Sequence, residues 1–296
     1  MKLIFIHGRA QGGYDPEALK KLWTETLEQG LAYNKLKLPE GLQIEFPYYG
    51  DRLDELVAAA KKAKSKSAQP TRSNETAIED QEELEFLQDY LIEIVEQAEL
   101  SRADQQALMN KLKKERGILN WEVIQNILET LDKKGIGGNW VIKTVTRDVF
   151  AYLTTPSIKT EINGIVQAKF DQTPCVVVGH SLGSIVSYLI LKENPQYSVK
   201  KLITVGSPLG VKSVQKFLGR PLLMPACIQS REWFNAYDER DFVALFPLDK
   251  EYFNIQPPII NLGEINNQTP NRHGIDGYLN DPIVAKTIYD ALNSIT

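Results

Sequence analysis

The run CVVVGHSLGSIVSYLI, residues 175–190, places one serine between two glycines where one kind of apolar pattern gives way to another. Its first part, CVVV, is short, apolar and β-branched, which is typical of a buried strand. The following part, LGSIVSYLI, is longer and is typical of a buried helix. We therefore expect a sharp strand-to-helix turn that carries Ser181 at its tip.

The spacing Gly179-x-Ser181-x-Gly183 gives this turn a physical purpose. A serine at such a corner has a strained backbone, and the flanking glycines let neighbouring backbone approach closely. The hydroxyl then projects at the carboxyl end of the sheet, beside a helix N-terminus that favours negative charge. The pattern predicts that Ser181 is a nucleophile; the alternative is a glycine-rich turn with an inert serine.

Strand-like and helix-like patterns alternate on both sides of this turn. Strands are predicted at residues 2–8, 42–50, 175–181, 199–208, 231–237 and 256–264. Helices are predicted after the first, second and third of these strands and near the carboxyl terminus. Because strands and helices alternate along the chain, the sequence predicts an α/β fold with a doubly wound, mostly parallel sheet.

Residues 51–150 interrupt this alternation with amphipathic helical patterns and no strand pattern. We therefore predict an α/β core formed by residues 1–50 and 151–296, with residues 51–150 as a helical insertion or cap. An independent helical domain is the alternative. Within this segment, residues 56–81 are rich in Ala, Lys and Ser, which is typical of a helix that runs into a mobile linker.

Size and charge restrict the classes of function. The 296 residues suffice for one large domain or two modest ones, and the net charge is −4. This mildly acidic balance gives no electrostatic reason to bind nucleic acid or an anionic membrane surface.

The cysteines and histidines restrict the kinds of site that the chain can form. Cys175 and Cys227 are interpreted as buried thiols, and the chain has only three histidines, so we expect no zinc site, no other metal and no cofactor. No apolar run is long enough for an integral membrane segment, and the apolar amino terminus is too short for a signal peptide. A cytoplasmic location is expected, and the oligomeric state is not predicted.

Ser181 needs a base to take its proton. His273, in TPNRHGIDGYL, is the one histidine that follows Ser181 in the chain, and it comes just after the last predicted strand. Asp238, Glu239 and Asp241 follow the strand at 231–237 and could orient that imidazole. We favour Asp241, because apolar residues that follow it could bury it against the histidine, and keep Asp238 as the alternative acid.

An oxyanion hole requires two backbone N–H donors. The residue after the nucleophile, Leu182, is expected to supply one, and the loop after the first strand the other. Within FIHGRAQGG the predicted second donor is the Arg9 amide, with Ala10 or Gln11 as alternatives.

The other two histidines precede Ser181 in the chain. His7 and Gly8 are expected to support the oxyanion loop, with His7 holding it by hydrogen bonds. Turn geometry directs the side chain of His180 away from the nucleophile, so we expect it to pack or to contact the wall of the site.

These segments together resemble the α/β-hydrolase superfamily of serine hydrolases, most closely its lipase/esterase-like branch with a GHSLG nucleophile elbow. The resemblance rests on FIHGRA, VVVGHSLGSIVS, TVGSPLG, WFNAYDERDFVALFP and RHGIDGYL. It implies Ser181 as nucleophile, Asp241 or Asp238 as acid and His273 as base. The chain departs from many relatives at Arg9 and Ala10, where they carry HGGG.

The resemblance implies a serine hydrolase that cleaves a carboxylic ester or thioester, from a small molecule or a lipid, through an acyl-enzyme. The same triad would also serve a peptidase, an amidase or a phospholipase. A catalytically inactive binding protein of the same fold is the rival from another class. The heavily charged helical segment favours a soluble small ester over the interfacial substrate of a strict lipase.

Overall fold

The computed structural model describes residues 1–8, 13–67, 81–98, 100–114, 121–133, 139–270 and 272–294. Its centre is one six-stranded sheet, ordered β2-β1-β3-β4-β5-β6, in which every neighbouring pair is parallel. The strands are β1 Lys2–Ile6, β2 Gln43–Glu45, β3 Cys175–His180, β4 Val199–Val205, β5 Trp233–Ala236 and β6 Ile260–Leu262. The predicted α/β class with a parallel sheet is confirmed.

Eleven α-helices accompany the sheet within the described ranges. They are α1 Pro16–Tyr33, α2 Gly50–Ser67, α3 Gln81–Gln97, α4 Arg102–Lys114, α5 Trp121–Lys133, α6 Asn139–Thr154, α7 Pro156–Gln167, α8 Leu182–Glu193, α9 Lys212–Gln215, α10 Asp276–Leu279 and α11 Pro282–Asn293. Helices α1 and α11 both start at Asp-Pro. Asp15 and Asp281 each accept two N–H groups of the first turn, which satisfies donors that a helix leaves unpaired.

Some predicted boundaries are wrong. The strand expected at 42–50 pairs only over Gln43–Glu45, and the one expected at 256–264 only over Ile260–Leu262. Pro47 and the prolines at 257 and 258 cannot donate to a ladder, which is one reason why the apolar patterns are longer than the strands.

The strand order reverses direction at β1. β2 lies on one side of β1 and β3 on the other, so the chain crosses over between them. In open parallel sheets the loops at the carboxyl ends of two such strands separate and leave a crevice. The loop after β1 and the turn after β3, which carries Ser181, meet at this position.

Both faces of the sheet are covered, which explains the continuous apolar character of its strands. Leu3 and Phe5 face a cluster that includes Trp23 of α1 and the apolar side of α11. Ile4 and Ile6 face a second, larger cluster that includes Ile185 of α8. Alternate residues of β1 thus serve opposite cores, as the two-residue period of a strand requires.

The helical segment packs on the second face of the sheet. Buried residues of α2 to α6 form one continuous apolar cluster with β1, β3 and α8. Glu93 of α3 also accepts hydrogen bonds from the N–H groups of Lys212 (2.7 Å) and Ser213 (2.8 Å) at the start of α9. The helical segment and the sheet therefore share one apolar core, and the division of the chain into a core and an insertion stays a prediction. In the predicted linker, α2 extends to Ser67, and residues 68–80 lie outside the described residues.

The interpretation of Cys175 and Cys227 as buried thiols is confirmed. Burial raises the pKa of Cys175 to about 12 and that of Cys227 to about 11. Within the described ranges, no helix has the length and apolar character needed to cross a membrane. The same part of the chain holds no group of three or more His, Cys, Asp or Glu arranged to bind a metal ion.

Gly183 allows the start of α8 to approach β1, and its replacement tests this contact. A Cβ at this position would lie 2.1 Å from the carbonyl oxygen of Ile6 and 2.5 Å from that of His7. Because both are backbone atoms, Gly183→Ala should destabilise the protein by about 3 kcal/mol or more, as measured by urea unfolding.

Gly164 provides the matched control for this prediction. It is exposed on α7, and a Cβ there would meet nothing within 4 Å. Gly164→Ala should raise the unfolding free energy by about 0.5–1 kcal/mol, because alanine loses less backbone entropy in a helix. Equal effects of the two substitutions would contradict the close approach.

Candidate active site

Ser181 occupies a strained position between β3 and α8. Its φ of 55° and ψ of −126° lie outside the regions that non-glycine residues ordinarily adopt. The backbone holds it there, since its N–H donates to the carbonyl of Val205 (3.2 Å) and its carbonyl accepts from Ser184 N (2.9 Å). Such strain costs about 1–3 kcal/mol and persists only where the surroundings fix it.

Gly8, just after β1, lies directly against the serine. A Cβ at Gly8 would be 2.6 Å from Ser181 Cβ, so the position accepts only glycine without a shift of the backbone. Gly8, the start of the loop that is predicted to supply an oxyanion donor, therefore lies beside Ser181.

His273 bridges the serine and a carboxylate. Its Nε2 is 2.8 Å from Ser181 Oγ, and its Nδ1 is 2.7 Å from Asp241 Oδ2. An ionised carboxylate only accepts hydrogen bonds, so Nδ1 carries the proton and Nε2 is left to accept from the serine hydroxyl. All three side chains are buried. This is the order of groups in which an imidazole can take a proton from a hydroxyl.

Asp241 and Asp238, the two candidate acids, occupy different environments. Asp241 Oδ1 accepts from the N–H of Val243 (3.0 Å), which orients its other oxygen towards His273. Asp238 instead accepts from Arg240 Nε (3.1 Å) and from the N–H of Asn267 (2.9 Å). The structure thus brings Asp241, not Asp238, against the imidazole.

Asp238 and Asn267 shape the loop that leads to the base. The Asn267 side chain donates to the carbonyl of Gly274 at 2.8 Å, next to His273. Asp238 therefore binds the buried Asn267, which in turn binds the residue after His273. Glu239, the third acid considered, is exposed.

Tyr278 is a site residue to which the sequence reasoning assigned no role. Its hydroxyl donates to Asp241 Oδ2 at 2.6 Å, the same oxygen that faces His273. Burial and the charge of Asp241 raise the pKa of Tyr278 well above its ordinary value, so the phenol stays a donor. The signal was the segment HGIDGYL, in which the short helix α10 returns a tyrosine to the site five residues after the histidine.

His7 is fixed in one tautomer by backbone groups. The N–H of Tyr49 donates to His7 Nε2 at 3.0 Å, and His7 Nδ1 lies 2.6 Å from the carbonyl oxygen of Gly8. Nδ1 therefore carries the proton, and burial lowers the pKa of His7 to about 4. These are contacts that a loop-holding residue would make, and the predicted role of His7 and Gly8 stays a prediction.

Of the two predicted oxyanion donors, the structure describes Leu182 but not Arg9. Leu182 is buried and is the first residue of α8, so the helix itself offers its N–H no acceptor. Arg9, together with the alternatives Ala10 and Gln11, lies outside the described residues.

His180 contacts both the backbone and the ring of His273. Its Nε2 is 2.9 Å from the carbonyl oxygen of His273, and the two ring centroids are 4.8 Å apart. The imidazole thus forms part of the wall of the site.

A cavity of about 920 Å³ opens at the same edge of the sheet. It lies between the end of α3 and the loops that follow β5 and β6, and its described lining includes Asp238, Arg240 and Arg272. Neither Ser181 nor His273 is among those lining residues, so the cavity borders the loops of the site and not its reacting atoms.

Comparison of the chain with protein-family models, with curated proteins and with solved structures finds no match. The class that the structure defines is an α/β protein with a six-stranded parallel sheet and covering helices.

The buried, neutral His7 predicts a pH dependence of stability. An unfolded histidine has a pKa near 6.5, whereas burial lowers the pKa of folded His7 to about 4. Between these two pH values the unfolded chain binds more protons than the folded chain. The contribution of neutral His7 to the unfolding free energy is therefore fully present above about pH 6.5 and is lost as the pH falls towards 4. His7 should account for a loss of about 3 kcal/mol over this range.

His7→Asn isolates this contribution, because asparagine keeps a side-chain donor but does not titrate. Urea unfolding of both proteins between pH 7 and pH 4 should show their difference in unfolding free energy shrinking by about 3 kcal/mol as the pH falls. A difference that is constant with pH would contradict a neutral, buried His7.

Proposed function

We propose that this chain is a serine hydrolase of the α/β-hydrolase type, which cleaves a carboxylic ester or thioester through an acyl-enzyme. The observation that carries the proposal is the buried hydrogen-bonded series from Ser181 Oγ through His273 to Asp241. The left-handed backbone of Ser181 supports it, because an inert turn serine needs no such strain.

The positions of the three residues in the sheet support the fold assignment. The serine follows β3, the acid follows β5 and the base follows β6, all at the carboxyl edge of a parallel sheet. This is the chain order nucleophile, acid, histidine of the α/β-hydrolase type. The strand reversal at β1 is the position at which open parallel sheets bind their ligands.

Acylation starts at the Ser181–His273 hydrogen bond. His273 Nε2 takes the hydroxyl proton while Ser181 Oγ attacks the carbonyl carbon of the ester. The resulting oxyanion is stabilised by the N–H of Leu182 at the N-terminus of α8 and by a second amide that we assign to Arg9. His273 then gives its proton to the leaving alcohol or thiol, and the acyl group remains on Ser181.

Deacylation repeats these steps with water. His273 takes a proton from the water molecule as its oxygen attacks the acyl carbon, and the same donors hold the second oxyanion. Collapse of this intermediate returns the proton to Ser181 Oγ and releases the carboxylic acid. Each step needs only acid–base groups that the chain contributes.

Asp241 stabilises the imidazolium that exists in both halves of the reaction. Its carboxylate is fully buried, where attraction to a positive ring is stronger than in water. Val243 N and Tyr278 OH fix the two oxygens, so the carboxylate stays aligned with Nδ1 as the charge on His273 changes.

Covalent labelling with a fluorophosphonate probe tests the proposed nucleophile. The wild type should be labelled, Ser181→Ala should not, and His273→Ala should be labelled far more slowly because no base takes the serine proton. The exposed Ser157 supplies a matched control, since Ser157→Ala should react like the wild type. No labelling of a wild type that is folded by circular dichroism would favour the binding-protein alternative.

The two aspartates should separate in a kinetic comparison of isosteric variants. Asp241→Asn should lower kcat for a p-nitrophenyl ester by about 10³–10⁴-fold, since the amide stabilises neither the needed tautomer nor the imidazolium. Asp238→Asn should mainly lower stability, because its partners are Arg240 and Asn267. A larger loss of kcat in Asp238→Asn would overturn the assignment of the acid.

A further inference from the structure

His180 is the last residue of β3 and directly precedes the nucleophile. Alternation along β3 places its imidazole on the same face of the sheet as Val176 and Val178, which is the face covered by α1 and α11. It is buried among the rings of Trp23 (6.1 Å between centroids), His273 (4.8 Å) and Tyr278 (6.1 Å).

Two glycines leave room for this ring. A Cβ at Gly8 would lie 3.2 Å from His180 Nδ1, and a Cβ at Gly206 would lie 3.2 Å from both Nε2 and Cδ2. Gly206 also has a φ of 56°, which side chains other than glycine rarely adopt. The backbone after β1 and after β4 therefore encloses an imidazole-sized space and holds the ring in place.

The ring is aimed at the backbone of the base. A carbonyl oxygen only accepts, so the 2.9 Å contact from His180 Nε2 to His273 O requires a proton on Nε2. Burial, with the nearby charges of His273 and His7, lowers the pKa of His180 well below its ordinary value. The donor is therefore neutral and adds no positive charge beside an imidazolium.

Three further hydrogen bonds lie within the loop that carries His273. Thr269 binds the N–H groups of Arg272 (2.9 Å, through its carbonyl) and Gly274 (3.0 Å, through its hydroxyl), and Asn267 binds the carbonyl of Gly274 (2.8 Å). These bonds shape the loop but do not link it to β3. The bond from His180 links the backbone of His273 to the end of β3, beside the side-chain bond from His273 Nε2 to Ser181 Oγ.

We propose that His180 is a positioning residue that fixes the distance between His273 and Ser181 through the carbonyl of His273. This inference rests on the proposed function for its kinetic consequence, but the geometry that it describes can be tested without turnover. Loss of the hydrogen bond lets the base loop shift against β3, and a displacement of about 1 Å between reacting groups can cost about 10²-fold in rate.

Matched substitutions separate the hydrogen bond from the packing of the ring. Glutamine and methionine have side chains of similar length, but only glutamine carries a donor that can reach the carbonyl of His273. Asparagine has a donor that falls short of it. His180→Met and His180→Asn should therefore lower kcat and the rate of fluorophosphonate labelling by about 10²-fold with little change in KM, whereas His180→Gln should stay within about tenfold of the wild type.

A second readout is independent of activity. The Nδ1 proton of His273, bonded to Asp241, should give a downfield ¹H NMR signal in the wild type and in His180→Gln. That signal should be broadened or lost in His180→Met and His180→Asn. Melting temperatures of all four proteins show whether the variants are folded.

The outcomes distinguish the two proposals. Equal activity and equal NMR signals in the Gln, Met and Asn variants would overturn the positioning role, as would equal losses in all three. If the wild type does not react with the probe, the proposed hydrolase function is wrong. The downfield signal then decides the positioning role, which is supported if the signal survives in His180→Gln alone among the variants.

Discussion

The candidate site depends on the direct approach of one backbone segment to another, where the start of α8 meets the end of β1. Gly183 permits it, because any Cβ there would overlap the carbonyl oxygens of Ile6 and His7. Gly8 lies against Ser181, whose φ of 55° is positive. The turn that carries Ser181 and the backbone just after β1 are therefore packed directly together, although about 170 residues separate them in the chain.

Environment gives the three histidines different capacities. His7 and His180 are buried and bonded to backbone groups, and burial lowers the pKa of both, so each is a fixed neutral donor. His273 instead faces the buried carboxylate of Asp241 through Nδ1. Under the proposed function this division suits a single proton-transferring base, because a second charged imidazole at the 4.8 Å separation of His180 would oppose protonation of the first.

The sequence could predict what depends on local pattern, and it could not predict what depends on the direction of a side chain in a loop. The sheet class and the strand-to-helix position of Ser181 follow from periodicity and glycine spacing. Asp238 and Asp241 follow the same strand, and a tight turn, closed by the Asp241 N–H to Asp238 carbonyl bond (2.9 Å), directs their carboxylates to different partners. The contacts of Asp241 with His273 and with Tyr278 leave no periodic signal in the sequence, because they join segments that are distant in the chain.

The helical segment is hydrogen-bonded to the loop that carries Asp241. Tyr90 of α3 donates to the carbonyl of Val243 at 3.3 Å, and the N–H of Val243 donates to Asp241 at 3.0 Å. Glu93, three residues further along α3, binds the first N–H groups of α9. Because α3 also shares the apolar core of the sheet, a rigid-body opening of this helix would break both sets of hydrogen bonds and expose buried apolar surface. The described part of the helical segment therefore helps to hold the loop that carries Asp241. Under the proposed function, a substrate reaches Ser181 through movements smaller than the lifting of α3.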